Sequence, residues 1–316
     1  MTRTIPFSMV EDARRHVYEA AIRTPLVRLR QDGGPADVYL KLENLQPIGS
    51  FKIRGAWNAV RLLPPDERRR GVWTVSAGNA AQGVALAARR AGVSCRVLVI
   101  DTAPAAKLDA IRRLGAETVK APFDDCWRAL GERHHPAMTG AFVHPFEDDE
   151  FIAGNATAAL EILEDLPDVD AVVAAFGGGG LSSGIATVMR ERKPTVRVFG
   201  AEPATAAPLA RSFALGSAQD FPDWTPSWVD GCGGKSVFPR MWALARHLLA
   251  GSVVSSLEEI RRAMTLAAER NHVIAEGAGA CAVAAALSGK CGTGKVVAVV
   301  SGGNIDLARF AELVSG

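Results

Sequence analysis

Short apolar runs rich in valine and isoleucine alternate along this chain with longer stretches of helical periodicity. The apolar runs show little polar alternation, which is typical of strands that are buried on both faces. The predicted strands are 38–42, 72–75, 95–100, 141–143, 171–175, 196–201 and 296–300, and the clearest predicted helices are 80–91, 105–114, 152–166, 181–192 and 305–314. Strand, helix and strand in series require right-handed crossovers, so the pattern predicts an α/β protein with parallel sheet flanked by helices.

The length of 316 residues favours two domains, because one hydrophobic core rarely grows that large. Two successive strand–helix units, 72–92 and 95–115, each end on a glycine where a helix C-terminus is expected. We therefore expect a smaller domain at 65–142 and a larger domain that combines 1–64 with 143–316. The proline- and glycine-containing segment 217–239 is predicted to be a long loop, and loops of that length are often functional.

Charge and cysteine content exclude several classes of protein. The formal net charge is only +2, which does not build the positive field that a nucleic-acid-binding protein needs. No apolar run reaches the ~18 residues of a membrane span, and the first nine residues do not resemble a signal peptide. The five cysteines include no C-x-x-C pair and fit a reducing compartment. We expect a cytoplasmic protein with neither a nucleic-acid nor a membrane partner.

A lysine follows a glycine turn at the start of a predicted helix, in the segment 49–55 with the sequence GSFKIRG. The positive end of the helix dipole and the free backbone N–H groups would favour the neutral form of this residue, Lys52. A neutral lysine is a nucleophile that can form a Schiff base with a carbonyl compound. Taken alone, the segment is a weak signal, because a lysine after Ser-Phe is usually just an exposed cation.

Four consecutive glycines, 177–180, join the predicted strand 171–175 to a predicted helix. Glycines let the backbone wrap closely around an anion and direct several N–H groups at it, next to the positive end of the helix dipole. The spacing is not that of the dinucleotide-binding motif, because serines occupy positions 182 and 183. The segment predicts a phosphate site, with a flexible turn as the alternative.

Two further segments, 76–83 (SAGNAAQG) and 301–304 (SGGN), also follow predicted strands. In an open α/β sheet, ligands bind at the carboxyl ends of the strands. We expect 76–79, 177–180 and 301–304 to lie together on such an edge. A third glycine-containing segment, 289–295, nearly matches a nucleotide phosphate loop, but it precedes its strand and has Val296 where a magnesium-binding hydroxyl would stand.

Together these segments resemble the fold-type-II pyridoxal phosphate enzymes, and within them the threonine/serine dehydratase and serine racemase group. The resemblance runs nearly end to end and also includes 24–26 (TPL), 41–47 (KLENLQP), 144–148 (HPFED), 201–203 (AEP) and 276–280 (EGAGA). The Lys-Ile-Arg-Gly continuation is similar to the dehydratases, whereas the related cysteine synthases usually carry Lys-Asp-Arg. The resemblance implies a tryptophan-synthase-beta-like fold with pyridoxal 5'-phosphate in a cleft between two domains.

The resemblance also implies roles for residues at matching positions. Lys52 would hold the cofactor covalently and act as the base at Cα. The substrate carboxylate would be bound by Ser76, Ala77, Gly78 and Asn79. The implied cofactor-binding residues are Phe51 against the ring, Lys52, Asn79 at the ring hydroxyl, Gly177, Gly178, Gly179, Gly180 and Leu181 around the phosphate, Glu276, and Ser301 at the pyridine nitrogen. The implied reaction converts a small L-hydroxy amino acid, such as threonine or serine, to a 2-oxo acid and ammonia, and a homodimer is expected because the group often forms one.

The sequence departs from this group at three positions. Ala80 stands where a histidine is common, which would make room for a larger or differently polar substrate. Ala77 stands where racemases carry a serine that protonates the opposite face of the substrate. Glu202 matches one ligand of the group's divalent cation site, but Pro208 replaces the second acidic ligand, so a cation such as calcium or magnesium stays uncertain.

Several alternatives to a dehydratase remain open. The first is another pyridoxal phosphate enzyme, either an amino acid racemase or a β-replacing synthase; Ala77 argues against the racemase and Ile53 against the synthase. The second is a non-catalytic protein that binds the cofactor or an amino acid, against which the presence of Lys52 argues. The substrate itself also stays open among serine, threonine, a 3-hydroxy dicarboxylic acid and a phenyl-bearing hydroxy acid.

Overall fold

The computed structural model describes residues 3–315 and places ten strands in two sheets within that range. The strands are β1 (Leu26–Arg28), β2 (Asp37–Lys41), β3 (Val72–Val75), β4 (Cys95–Ile100), β5 (Glu117–Ala121), β6 (Ala141–Phe142), β7 (Ala171–Ala175), β8 (Arg197–Pro203), β9 (Gly251–Ser255) and β10 (Lys295–Val299). The α-helices are α1 (Phe7–His16), α2 (Lys52–Leu62), α3 (Pro65–Arg69), α4 (Asn79–Ala91), α5 (Ala105–Arg113), α6 (Phe123–Glu132), α7 (Asp149–Asp165), α8 (Gly180–Arg192), α9 (Pro208–Leu215), α10 (Pro239–Leu248), α11 (Leu257–Asn271), α12 (Gly277–Leu287) and α13 (Leu307–Ser315).

The larger sheet has the strand order β1-β2-β10-β7-β8-β9, and the smaller sheet has the order β5-β4-β3-β6. Neighbouring strands are parallel except β1, which pairs antiparallel with β2 at the edge of the larger sheet. The predicted α/β class with parallel sheets flanked by helices is confirmed. The smaller sheet lies within 72–142, and the domain division at 65–142 stays a prediction.

The two faces of the larger sheet are covered by different helices. Alternate residues of its central strands, such as Val173 and Ala298, pack with α11, α12 and α13, whereas Val172 and Val299 pack with α7, α8 and α10. Burial on both faces explains why these strands show no polar alternation in the sequence. No helix within residues 3–315 is long and apolar enough to cross a membrane.

All seven predicted strands occur, with ends that differ by two residues at most. The sequence interpretation did not include β1, β5 and β9, which are short or lie at sheet edges. β5 is partly exposed, and β1 has three residues, so neither gives a continuous apolar run. The helix α12 was also missed, because it consists of small apolar residues and is buried almost throughout, which removes the helical alternation.

Helices α2 and α7 cross at very close range, and this contact positions the start of α2. A Cβ atom on Gly55 would lie 2.5 Å from the carbonyl oxygen of Phe151. A Cβ atom on Gly154 would lie even closer to the carbonyl oxygen of Arg54. Only glycine at both positions lets the two backbones approach this closely. The first residue of α2, Lys52, is therefore held against α7 by backbone packing.

Below this contact lies a buried ionic network that joins β2, α2 and α7. Arg54 Nε lies 2.7 Å from Glu43 Oε2, and Arg54 Nη1 lies 2.7 Å from Glu161 Oε1. Lys41 Nζ lies 2.5 Å from Glu161 Oε2 and also donates to the carbonyl oxygen of Thr24. Two cations and two carboxylates balance, which is the condition for burying such charges. Removing one partner leaves an uncompensated buried charge, which typically costs ~3–5 kcal/mol.

Candidate active site

A cleft of about 410 Å³ lies between the two sheets, and most of the predicted site residues line it. Segments 76–79, 177–180 and 301–304 follow β3, β7 and β10, respectively. The expectation that all three lie on one sheet edge is wrong, because β3 belongs to the smaller sheet and β7 and β10 to the larger one. The site is instead formed where the carboxyl ends of strands from two sheets face each other.

Lys52 is the first residue of α2 and lies on the wall of the cleft. Its Nζ donates a hydrogen bond to the carbonyl oxygen of Pro145 at 2.7 Å and lies 5.1 Å from the centre of the Phe51 ring. Burial lowers the pKa of Lys52 to about 8, although the negative charge of Glu276 acts in the opposite direction. At pH 7 about a tenth of this amine is therefore neutral and nucleophilic, far more than of a lysine with the ordinary pKa of 10.5.

The four glycines form the turn between β7 and the 13-residue helix α8. The backbone N–H groups from Gly177 to Ser182 donate no hydrogen bond to any other described residue. Gly179 has φ +85°, and a Cβ on Gly177 or Gly180 would lie 2.8 or 2.7 Å from a carbonyl oxygen of another segment. A helix N-terminus with free N–H groups on residues that carry no side chains of their own fits a phosphate group.

The members of this turn contribute differently to the cleft. Gly178 lines the cleft, and with Gly177 it also lines an adjoining cavity of about 100 Å³. The ring of Phe146 packs directly on Gly178. Gly179, Gly180 and Leu181 do not line the cleft, and Leu181 is buried in the core of the larger sheet. The Leu181 side chain therefore stabilises the core rather than facing a ligand in the cleft.

Ser76, Ala77, Gly78 and Asn79 all line the opposite wall, at the start of α4. The hydroxyl oxygen of Ser76 accepts a hydrogen bond from the Gly78 N–H at 3.1 Å. The N–H groups of Ala77 and Asn79 donate to no other residue in the range 3–315. This second helix N-terminus suits a carboxylate, which is the ligand expected there from the sequence.

Three residues from distant parts of the chain form a hydrogen-bonded chain beside Ser301. Asn79 Nδ2 donates to Glu276 Oε1 at 2.7 Å, and Asn304 Nδ2 donates to Asn79 Oδ1 at 2.7 Å. Burial raises the pKa of Glu276 to about 8, and the hydrogen bond from Asn79 opposes that rise. Ser301 is itself buried and lines the cleft next to Asn304.

The structure adds residues that sequence reasoning did not assign to the site. Lys107 on α5 forms a salt bridge with Asp230 across the cleft, and both residues line it. Asp230 lies in the loop 217–239, whose composition marked it as functional, whereas nothing in the sequence around Lys107 gave a signal. Phe146 was included only as part of the segment 144–148, and Asn304 only as part of 301–304.

Glu202 lies outside the cleft and stabilises the start of α9. Its Oε1 accepts the N–H of Leu209 at 2.8 Å, and its Oε2 accepts the N–H of Ala210 at 2.9 Å and the hydroxyl of Ser252 at 2.7 Å. Burial raises the pKa of Glu202 to about 7, and these hydrogen bonds act against the rise. No group of three or more histidine, cysteine, aspartate or glutamate side chains that could hold a metal ion occurs among the described residues.

Comparisons with known proteins found similar proteins over nearly the whole chain. A family model described as pyridoxal-phosphate dependent enzyme matches residues 17–302. The L-threonine ammonia-lyase of Thermotoga maritima is 40% identical over 314 residues, which cover 97% of this chain and 77% of that protein. The solved threonine deaminase of Solanum lycopersicum (processed isoform 2) is 29% identical with a TM-score of 0.87, covering 99% of this chain and 95% of the other. The solved serine racemase of Dictyostelium discoideum is 32% identical with a TM-score of 0.85, and the match covers 96% of this chain and 100% of the other.

Proposed function

This chain belongs to the family of pyridoxal-phosphate-dependent enzymes, and from that premise we propose that it is an ammonia-lyase for a small L-hydroxy amino acid. Threonine or serine would lose water across Cα and Cβ, and addition of water to the resulting imine would release ammonia and leave a 2-oxo acid. The observation that carries the proposal is the position of Lys52, whose partly neutral amine shares one cleft with the glycine turn and the start of α4. The relatives whose names specify threonine ammonia-lyase or threonine deaminase support the same reaction.

The residues present fit the cofactor. The free N–H groups of the turn from Gly177 to Gly180 would hold its phosphate, and Lys52 would hold it covalently. Asn79 would bond the ring hydroxyl, Ser301 would face the pyridine nitrogen, and Phe51 would pack beside the ring. When bound, pyridoxal phosphate delocalises the negative charge that develops as Cα loses its proton.

The remaining chemistry falls to groups of the protein. The N–H groups of Ala77 and Asn79, with Ser76 and the Gly78 N–H that bonds it, would fix the substrate carboxylate and so orient the Cα–H bond. Lys52, whose pKa is about 8, would take the Cα proton, because burial leaves about a tenth of the amine neutral at pH 7 and about half at pH 8. The Ser301 hydroxyl would support an uncharged pyridine nitrogen, since it supplies no negative charge.

A racemase is the second candidate, because solved serine racemases are among the similar structures. Racemisation needs an acid on the face of Cα opposite Lys52. The residue expected there, Ala77, has no such group, which favours elimination. A β-replacing synthase or a protein that binds the cofactor without turnover has no observation of its own in its favour.

The substrate side chain would extend toward the first turn of α4. Ala80 is 5% exposed and contributes to the wall of the cleft. We propose that the missing bulk at this position admits a larger side chain than threonine. A histidine in place of Ala80 should then lower kcat/KM for the larger substrates of a panel more than for serine. If the order of the substrates by kcat/KM were the same in wild type and in Ala80→His, Ala80 would not determine the size of the substrate.

We further propose that Glu202 serves as a helix cap and does not bind a divalent cation. Each of its oxygens already accepts at least one hydrogen bond, and Pro208 supplies no oxygen ligand from its side chain. A homodimer in the cytoplasm is the assembly that we propose by resemblance, and light scattering of the purified protein measures its mass.

Proton NMR in heavy water tests the proposed reaction. Purified protein with pyridoxal phosphate is mixed with serine, threonine and larger L-hydroxy amino acids, beside Lys52→Ala and the exposed control Lys120→Ala. We expect one or more substrates to give a 2-oxo acid with wild type and Lys120→Ala, and none with Lys52→Ala. Exchange of the Cα proton without product would instead indicate racemisation or replacement. Absence of any change across the panel would favour a binding protein.

A further inference from the structure

Asn304 is a junction between three parts of the cleft. Its Nδ2 donates to the carbonyl oxygen of Ile48 at 2.7 Å and to Asn79 Oδ1 at 2.7 Å. Ile48 lies just before Lys52, and Asn79 is the first residue of α4 on the opposite wall. The side chain thus connects the segment that leads to the lysine with a helix that follows the other sheet.

The backbone around Asn304 is fixed as firmly as its side chain. Gly303 N–H donates to the carbonyl oxygen of Gly49 at 2.9 Å, and Phe51 N–H donates to that of Ser301 at 3.0 Å. Gly49 has φ +70°, and a Cβ there would lie 2.6 Å from Asn304 Oδ1. The glycine before Lys52 is therefore required both by its backbone conformation and by the close approach of the asparagine.

These hydrogen bonds fix which atom donates and which accepts at each residue of the series. The carbonyl oxygen of Ile48 can only accept, so the end of Asn304 that faces it must be the amide nitrogen. The same nitrogen faces Asn79, which must therefore present Oδ1 to it. Asn79 is left with Nδ2 on the other side, where one N–H donates to Glu276 Oε1. Glu276 can accept at that oxygen in its charged and its protonated form.

We infer that Asn304 is a positioning residue that fixes the orientation of the Asn79 amide, so that Asn79 can only donate to the ring oxygen of the cofactor. This inference rests on the proposed function, which places Asn79 at that oxygen. One N–H of Asn79 Nδ2 is engaged by Glu276, and the second is left for the cofactor. A donor at this place favours the ionised ring oxygen over the protonated one.

Without Asn304, Asn79 loses the partner of its Oδ1, and only the hydrogen bond to Glu276 still favours the orientation in which Nδ2 donates. A turned amide would present an oxygen to the ring and favour the protonated ring hydroxyl. The loss of one net hydrogen bond corresponds to about a fivefold change in the equilibrium between the two orientations. The two ionisation states of the ring absorb at different wavelengths, so the absorption spectrum of the holoenzyme reports the change without any turnover.

The test compares Asn304→Ala and the bulkier Asn304→Leu with wild type, at saturating pyridoxal phosphate and one pH. Asn44→Ala is the matched control, because Asn44 Nδ2 also donates to a backbone carbonyl, that of Ile274, beside Gly303 but outside the cleft. Both Asn304 variants should shift the ratio of the two absorption bands toward the protonated state, by up to about fivefold. Asn44→Ala should leave the band ratio unchanged. It should, however, change the thermal midpoint of the cofactor-free protein about as much as the Asn304 variants do.

Asn79→Ala separates failure of this inference from failure of the proposed function. If Asn79→Ala shifts the band ratio and both Asn304 variants leave it at the wild-type value, Asn304 does not orient the amide. If the spectrum is unchanged in Asn79→Ala as well, Asn79 does not contact the ring, and the proposed cofactor site is wrong. An equal shift in Asn44→Ala and the Asn304 variants would indicate general loosening of the loop and would also overturn the inference.

Discussion

At the scale of single residues, the proposed chemistry depends on the environment of one amine. Lys52 begins α2 and lies between aromatic rings, with Nζ 5.1 and 5.4 Å from the ring centres of Phe51 and Phe151. Burial makes its charged form costly and lowers the pKa to about 8 from the ordinary value of 10.5. The same residue can therefore both react with a carbonyl group and accept a proton near neutral pH.

The rate at which cofactor-free protein takes up pyridoxal phosphate should follow the neutral fraction of Lys52. We expect this rate to rise with pH and to level off above a midpoint of about 8, because only the unprotonated amine attacks the carbonyl. Stopped-flow absorbance at several pH values measures it, with Lys52→Ala as the blank. A midpoint near the ordinary value of 10.5 would mean that the amine is exposed.

At the scale of elements, the position of α2 depends on two glycines that face each other across its contact with α7. Replacing Gly154 by alanine would push a Cβ into the carbonyl oxygen of Arg54. We expect the free energy of unfolding to fall by about 1–3 kcal/mol, since neither backbone can move without disturbing the core. Urea denaturation measures the change.

A second helical glycine provides the matched control for Gly154→Ala. Gly131, near the end of α6, has no heavy atom within 4 Å of the position of an added Cβ. Gly131→Ala should stabilise the protein by up to about 1 kcal/mol, because alanine restricts the unfolded chain without straining the helix. Equal effects of the two substitutions would show that the α2–α7 contact is not close-packed.

The start of α9 gives a pH-dependent prediction. The pKa of Glu202 is raised to about 7, so the folded state favours the protonated carboxyl relative to the unfolded state. Its contribution to stability is complete below about 4.5, the ordinary pKa, and is lost as the pH rises through about 7. In Glu202→Gln, which cannot ionise, the fall in unfolding free energy between about pH 5 and pH 8 should be smaller.

Urea denaturation over that pH range measures the slope for Glu202→Gln, beside wild type and Glu191→Gln, which removes an exposed carboxylate of α8. Glu191→Gln should keep the wild-type slope. Added calcium or magnesium should stabilise neither wild type nor Glu202→Gln. A saturable rise in the thermal midpoint of wild type alone would show that Glu202 binds the cation after all.

At the scale of the whole molecule, the cleft is bounded by two sheets that are joined across its mouth by Lys107 and Asp230. Their side chains are 41% and 67% exposed, so solvent screens the pair and its contribution to stability is small. We expect the salt bridge instead to hold α5 close to the loop that contains Asp230 while substrate is bound. Lys107→Ala should lower kcat/KM up to about fivefold and leave the thermal midpoint unchanged.

The exchanged pair Lys107→Asp with Asp230→Lys should restore most of the activity, because it restores the attraction with reversed charges. The control is Lys295→Ala, which removes a lysine–aspartate pair of similar exposure, 35% and 64%, that lies outside the cleft. Steady-state kinetics measures all the variants. If Lys107→Asp and Asp230→Lys each lowered the activity and the two together did not restore it, Lys107 would contact the substrate directly.

The sequence by itself determined the features that depend on neighbouring residues. The central strands, the glycine turn after β7 and the lysine at the start of α2 were all predicted. The spacing of apolar residues, the conformational freedom of glycine and the residue types at helix ends can each be seen in a short stretch of sequence. The α/β class followed from their order along the chain. The edge strands β1 and β5 escaped prediction because their short or partly exposed residues leave no such period.

Only the tertiary structure decided which of these features meet. Asn79 bonds residues 197 and 225 positions away, and the strand before it belongs to a different sheet from the strand before Asn304. Local patterns do not encode contacts across such separations, so no role for Asn304 or Lys107 could be predicted from them. The same is true of Glu202, whose hydrogen bonds are set by the packing of α9 on β8 and β9. These side chains acquire their roles only when the chain brings distant backbone N–H and carbonyl groups within hydrogen-bonding distance.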